Sequence, residues 1–310
     1  MRRAVSVSLG SPSRDWQADL SELGVPLRIE RRGVGLDYEK YTAALRELDA
    51  DEETASIGLG GINRYLFSGE QKYGLRKAEE MAAVVHHKPV CDGSGLKQYW
   101  EPEVVRTAVK EGALTLQGRR ALMVCAVDRW GMAEALVQGG AELVVGDFMF
   151  ALGIPIALRS LQTARKVTRA LLPFISRHVP FEWLYPTGES RDTPRYRRWY
   201  DWADILAGDW KFIGKYMPQE PGSLRGKTVL TNTTTPKDVD ALRERGAEVL
   251  ITTTPSLQGR SFGTNAVEAA VAAISGRDPE GMRLEDYLSV FRPLGWEKPR
   301  IQRLQGAFNG

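Results

Sequence analysis

The sequence predicts an α/β protein of two α/β domains, the second built on a mostly parallel sheet. Three observations predict it. Leu122–Phe150 reads as strand, turn, helix, turn, strand, and one such unit implies parallel pairing with a right-handed crossover. From Ala4 to Glu111, short strand-like runs alternate with helical stripes. The alternation resumes at Asp204 and continues to Ile274. At 310 residues the length allows two domains, each with its own core. The expected division is 1–118 and 119–310, with a helical insertion over about 155–203.

In the central unit, Leu122–Val127 is an apolar run long enough for a buried strand and too short for a helix. Asp128 follows, a side chain that can cap a helix by accepting backbone N–H groups. Met132, Ala133, Leu136 and Val137 recur at helical spacing, and Gly139 and Gly140 end the helix. Glu142–Val145 starts the next strand, with Gly146-Asp147 at its end. Ligands of such sheets bind outside the carboxyl ends of the strands, which makes Asp128, Arg129, Gly131 and Asp147 candidate ligand-binding residues.

This unit resembles the nucleotide half of a Rossmann dehydrogenase. The resemblance implies NAD, with Asp147 on the adenosine ribose at the ~20-residue offset such an acid takes. A 2′-phosphate would sit badly against that carboxylate, so NADP is the less favoured alternative. The glycine-rich turn G-x-G-x-x-G is absent, and only Gly131 stands in place of its last glycine. Asp128 sets a negative charge where a pyrophosphate normally lies, and Arg129 can offset it. A plain βαβ unit with no nucleotide is the competing reading.

In the first domain Ala4–Ser8 alternates as a strand. Arg14–Leu23 reads as a short amphipathic helix closed by Gly24, and Pro26–Arg31 as a second strand. Tyr38–Leu48 is a helix with its stripe at Tyr41, Ala44, Leu45 and Leu48. Ser56–Leu59 is a strand ending in Gly60-Gly61-Ile62-Asn63, and Tyr65–Phe67 with Tyr73–Leu75 makes a hairpin. Ala78–Val85 is helical, Pro89–Cys91 is a strand, and Pro102–Glu111 is a helix stopped at Gly112. Polar residues at strand ends give Ser6, Ser8, Asn63 and Ser94 as candidate substrate ligands. The loop from Asp92 to Lys97 carries an acid and an amine five residues apart, the candidate catalytic pair. Lysine offers three donors, and a neighbouring carboxylate can orient it or share its proton. An exposed ion pair is the alternative.

In the second domain Leu161–Ile175 is helical and Pro180–Asp192 is a loop. Tyr196–Leu206 interleaves aromatics with arginines, and it reads as a helix with a buried aromatic face rather than a base-stacking surface. Asp204–Ala207, Thr228–Thr231 and Glu248–Thr252 are strands, and Pro236–Arg245 and Asn265–Ile274 are helices. After the helix Leu284–Phe291 a basic tail reads as packing. The sequence TTTP occurs at Thr233–Pro236 and again at Thr252–Pro255, each time at a strand end. Thr233, Thr253 and Thr254 are therefore candidate ligands for phosphate or sugar hydroxyls, or simply turn formers. The loop SLQGRSFGTN adds Arg260 as a candidate anion ligand and Asn265 as a substrate ligand.

The composition, 43% hydrophobic and 26% charged, is that of an ordinary soluble globular protein. No apolar run reaches the ~18 residues of a membrane span. The start MRRAVSVSLG alternates like a strand rather than a signal peptide, so a cytoplasmic location is expected. Cys91 and Cys125 sit in apolar segments and read as buried thiols. A formal charge of +3 is too small to argue for nucleic acid. Of the three histidines, His86, His87 and His178, the adjacent His86 and His87 lie before a strand and lack ligand spacing, so no metal is expected. The expected partner is a small-molecule substrate, and a homo-oligomer is compatible with the sequence.

The segments VSVSLGS, GLGGIN, PVCDGSGLK, AVDRWGMAEAL, GDFMFALGIPI, LYPTGE, TNTTTP and TTTPSLQGRSFGTN resemble the bacterial family named quinate 5-dehydrogenases over most of the chain. More distantly, VLITTTPSLQG is similar to the strand and N-A-T-P turn of shikimate and quinate dehydrogenases. The resemblance implies NAD(P)-dependent oxidation of an alicyclic polyhydroxy acid, with Lys97 and Asp92 in the place of a catalytic lysine and aspartate. The N-V-T-x-P-x-K and N-T-D settings of those two residues are missing here. A ligand- or nucleotide-binding protein without catalysis is the alternative.

Overall fold

The computed structural model describes residues 1–179, 193–257 and 260–304. The loop expected at Pro180–Asp192 lies outside the described residues.

The apolar alternation at the start forms β1 (Arg2–Ser8), buried from Ala4 onward. The next stretch corrects the expected helix Arg14–Leu23. It is a 3-10 turn at Pro12–Arg14, an edge strand β2 (Trp16–Asp19) and a second 3-10 turn at Ser21–Leu23. Trp16 and Ala18 face inward while Gln17 and Asp19 are exposed, so the period is two and not 3.6. Gly24 does close the second turn, in the left-handed conformation. There follow β3 (Leu27–Gly33), α1 (Tyr38–Ala50, capped by Asp37), β4 (Thr54–Gly60), the hairpin β5 (Tyr65–Ser68) and β6 (Gln71–Gly74), α2 (Arg76–Ala82) and β7 (Val90–Cys91). Their sheet runs β2-β3-β1-β4-β7 and is parallel except for β2.

A π-helical turn, Leu96–Trp100, leads into α3 (Glu101–Lys110). Then come β8 (Arg120–Met123), α4 (Trp130–Gln138), β9 (Glu142–Val145), α5 (Asp147–Phe150) and α6 (Leu161–His178). Beyond the undescribed loop lie α7 (Arg197–Trp202), β10 (Ile205–Gly208), α8 (Trp210–Tyr216), β11 (Thr228–Thr231), α9 (Pro236–Glu244) and β12 (Val249–Thr252). The chain ends with a short hairpin, β13 (Ser256–Leu257) and β14 (Arg260–Ser261), then α10 (Thr264–Ser275), α11 (Leu284–Leu294) and β15 (Arg300–Arg303). The tail expected only to pack supplies β15, which pairs antiparallel with β12. The second sheet runs β15-β12-β11-β10-β8-β9, is otherwise parallel, and is Rossmann-like.

No strand is shared between the two larger sheets, but helices are exchanged between them. The helix α10, which follows the last parallel strand, crosses back and lies on the first sheet. Its Ala269 carbonyl accepts from Ser56 Oγ at 2.7 Å. A side chain at Gly93 would come within 2.7 Å of Thr264 Oγ1, and its φ of +86° favours glycine as well. In the other direction, the turn Leu96–Trp100 and α3 pack on α4, where a Cβ at Gly131 would lie 2.6 Å from Pro102. One apolar core joins both sheets, with Ile29 and Met123 on either side and Trp100, Val267, Val271 and Phe291 between. Among the described residues no helix is long and apolar enough to cross a membrane.

Candidate functional site

The strand order fixes where a cleft can form. From β8 the chain goes to β9 on one side, and β10 is laid down on the other, so the order of strand addition reverses between the parallel strands β8 and β10. That switch point is where open α/β sheets bind ligands. Here it faces the carboxyl ends of β1 and β4, and between them lies a cleft of about 400 Å³.

The floor of the cleft is a buried charge network. Lys97, 3% exposed, points its Nζ at Asn63 Oδ1 and Asp128 Oδ1, both at 2.8 Å. Asn63 also donates to Asp128 Oδ1, which ties the turn after β4 to the turn after β8. Next to it Arg129, 1% exposed, donates to Glu101 and, at 2.9 Å, to Asp209 Oδ2. Asp128 Oδ2 lies 3.4 Å from Arg129 Nε, which has no hydrogen-bond partner among the described residues. Thr253 donates to Glu101 at 3.0 Å and Asn232 to Asp209 at 3.0 Å.

Two cations thus face three carboxylates, so one acid is in excess. Burial pushes Glu101 up to about 7, against the pull of Arg129. Burial works most strongly against the charge on Lys97, but the charge and hydrogen bond of Asp128 together with the charge of Asp92 outweigh it and hold the lysine above its ordinary value. Lys97 is therefore an ammonium at neutral pH, fit to donate to a ligand oxygen and to steady negative charge on it.

Of the expected site residues, the cleft gathers Ser6, Ser8, Asn63, Asp92, Lys97, Asp128, Arg129, Thr233 and Asn265. Asn265 donates to Ser6 Oγ at 2.6 Å, and Ser8 Oγ accepts from Arg31 at 2.9 Å. The expected pairing of Lys97 with Asp92 is replaced by Lys97 with Asp128. Asp92 instead accepts from the Arg64 and Ser94 backbone N–H groups and from Ser94 Oγ. Ser94 is thereby a loop staple and not a cleft residue. Asp128 does not cap α4; Arg129 holds the cap position, with no side-chain cap bond. Thr253 serves Glu101, and Thr254 donates to the Asn232 carbonyl at 2.8 Å, so both are turned from the cleft. The side chain of Arg260 lies outside the described residues.

The nicotinamide dinucleotide implied by a Rossmann-like sheet was tested against this geometry. A pyrophosphate needs free backbone N–H groups at the turn after the first strand. Here the Asp147 carboxylate takes the N–H groups of Ala126 and Val127, at 2.9 and 3.0 Å. Gly131, inside the first turn of α4, is closed off by Pro102 and the Gln98 carbonyl. Asp147, expected on the ribose, is therefore a plug for the turn, and the preference for NAD over NADP loses its basis. In that position the dinucleotide does not fit. Among the described residues no group of three or more His, Cys, Asp or Glu is placed to hold a metal ion.

Sequence reasoning passed over Arg14, Arg31, Asp209, Lys211 and Glu101. Gly208-Asp209-Trp210 was visible as a strand end, the one available signal. Arg14 was hidden by the misread helix, and Glu101 is reached only through tertiary packing.

A second buried carboxylate joins the cleft wall to the core. Glu268 on α10 accepts from the Gly93 and Leu96 N–H groups and from Tyr287 Oη. Burial, then the nearby Asp92, raises it to about 7, and burial raises Asp147 to about 6. A raised acid binds more protons folded than unfolded, so its contribution falls as pH rises from the unfolded to the folded value. Between about pH 4.5 and 7 these groups lower stability as pH increases. Below that range Asp49, held down at about 2 by donors from His86 and His87 against its burial, loses its contribution instead. The melting temperature is expected to be higher at pH 5 than at pH 8, and Glu268→Gln to reduce the difference. A melting temperature that climbs steadily over that range would contradict these assignments.

The profile of a domain of unknown function (DUF8754) matches residues 95–304, and that of a second domain of unknown function (DUF8753) matches residues 3–92. This chain belongs to the DUF8754 family. The two matches meet at the loop carrying Asp92 and Lys97, so the DUF8754 part begins just before the catalytic candidate. No curated protein matches the chain. Among solved structures, the hetero-hexameric glutamate dehydrogenase of Thermus thermophilus in its Leu-bound form is 13% identical, with a TM-score of 0.44 over 95% of this chain and 74% of that one. The L-tryptophan dehydrogenase of Nostoc punctiforme is 11% identical, with a TM-score of 0.39 over 94% and 79%. GanP, a glucose-galactose binding protein from Geobacillus stearothermophilus, is 12% identical, with a TM-score of 0.38 over 99% and 98%. These are distant likenesses and bear on no residue of the cleft, which draws its lining from both matched segments.

Proposed function

We propose that the cleft holds a small hydroxylated carboxylate of the quinate or shikimate kind, and that the protein is an oxidoreductase acting on one of its hydroxyl groups. The observation that carries this reading is Lys97: a buried ammonium at the cleft floor, aimed by Asn63 and Asp128. Oxidising a secondary alcohol moves a hydride from its carbon to an acceptor and a proton from its oxygen to a base. A nicotinamide ring would supply the acceptor, and for it to bind at the turn after β8 Asp147 would have to leave that turn. The chain's own part is the proton: Lys97 donates to the hydroxyl oxygen, and Asp128 is the adjacent base that can take a proton passed through the lysine. Ser6, Ser8 and Asn265 line the same cleft and offer hydroxyl and amide groups to the hydroxyls of such a ligand.

A second reading has its own support. Asp147 fills the turn where a dinucleotide would bind, which favours a ligand-binding protein with no hydride chemistry. Calorimetric titration with NAD and NADP separates the two. The oxidoreductase reading requires one of them to bind, with Asp147 displaced; binding no tighter than about 1 mM, because Asp147 keeps the Ala126 and Val127 N–H groups, would favour the second reading. Micromolar binding of either would return the nicotinamide and show that Asp147 leaves the turn.

A further inference from the structure

The charges around the cleft do not cancel. Arg14, Arg31, Lys97, Arg129 and Lys211 line it, against Asp92, Asp128 and Asp209. The carboxylates are already engaged: Asp128 with Lys97, Asp209 with Arg129, and Asp92 with the turn N–H groups. Arg31 has Asp15 at 2.6 Å. That leaves Arg14 and Lys211, neither of which has an ion pair among the described residues. They come from opposite walls. Arg14 ends the 3-10 turn that follows β1, and Lys211 stands in the first turn of α8, after β10.

We propose that Arg14 and Lys211 form an oxyanion subsite at the cleft mouth, which takes the carboxylate or phosphate of the ligand and leaves its hydroxyls toward Lys97. This rests on the reading of the cleft as a site for a small hydroxylated acid. Like charges from two walls repel across the gap, and an anion between them converts the repulsion into two attractions. The surroundings of Lys211 agree. Its pKa is lowered, first by desolvation within the cleft, and Arg14, Arg31 and Lys97 add to this against the pull of Asp209. An anionic group seated there also links the two sheets through the ligand.

The test uses inorganic phosphate and malonate as probes, titrated calorimetrically into the full chain, Arg14→Ala, Lys211→Ala and the double variant. Both residues are exposed, so the variants are expected to fold. Their melting temperatures without added anion should equal or exceed that of the wild type, since a repulsion is removed. Each single variant should weaken the better-bound probe at least about tenfold, and the double variant should abolish binding. Tighter binding of phosphate would point to a phosphate ester as ligand, and tighter binding of malonate to a carboxylate. Equal affinity of wild type and double variant, or no binding of either probe to the wild type at 10 mM or so, would overturn the subsite. The reading of the floor fails separately, if Lys97→Met binds quinate as the wild type does.

Discussion

Lys97→Met is expected to lower the turnover of a hydroxylated acid by at least about a hundredfold, the low end of what a positioned acid or base contributes. The methionine keeps the stem and removes the charge and all three donors. In the binding reading the same change weakens the ligand by about tenfold, the worth of one charge-assisted hydrogen bond. The sequence alone suggests that the fold tolerates this substitution without cost. The burial of Lys97 against Asp128 says otherwise: the carboxylate is left with Asn63 and a distant Arg129 Nε. Stability should therefore fall too, because a buried charge has lost its partner. Lys97→Gln, which keeps a donor beside Asp128, separates the effects. It should recover part of the melting temperature and little of the turnover. If the methionine variant turns over or binds ligand at the wild-type level, Lys97 is a structural cation and the assignment is wrong.

Arg129→Met should produce the largest loss of stability in the molecule, about 3–5 kcal/mol. The guanidinium is 1% exposed and is the counter-ion of Glu101 and Asp209, with Asp128 beside it. Removing it strands Glu101, which is fully buried, beside the buried Asp128, and takes from Asp209 its ion pair. The pairing also spans the fold, since Glu101 opens α3 and Asp209 follows β10. Chemical denaturation measures the loss. The double variant Arg129→Met with Glu101→Gln should recover part of it, because the stranded charge is gone. A single variant as stable as the wild type would mean that the network is hydrated and open, not a dry floor.

The parallel strands and long helices were legible because burial repeats along the chain. Glu142–Val145 announces itself as an apolar run and Tyr41, Leu45 and Leu48 by their period, whereas the strand expected at Leu122–Val127 starts two residues earlier and ends at Met123. The edge strand Trp16–Asp19 was not legible. Four residues with two inward side chains fit a helical stripe as well as a pleat, and only pairing with β3 decides. The same limit applies to β15, whose basic residues pair with β12 without a hydrophobic signature. At the site, Lys97, Asn63 and Asp128 could each be named from strand ends, since loops at one sheet edge converge. Their partnership could not. Asp92 is five residues from Lys97 in sequence, but its carboxylate is drawn to the N–H groups of its own loop, as aspartate in a turn commonly is. Asp147 failed for a related reason: an acid at the ribose offset can equally fold back on the turn, and here it does.

The most direct measurement is a crystal structure of the protein soaked with quinate. The account predicts one quinate in the cleft, with a hydroxyl oxygen about 2.7–3.2 Å from Lys97 Nζ and the carboxylate at Arg14 and Lys211. Quinate bound elsewhere, or a cleft that stays empty at saturating ligand, would contradict it.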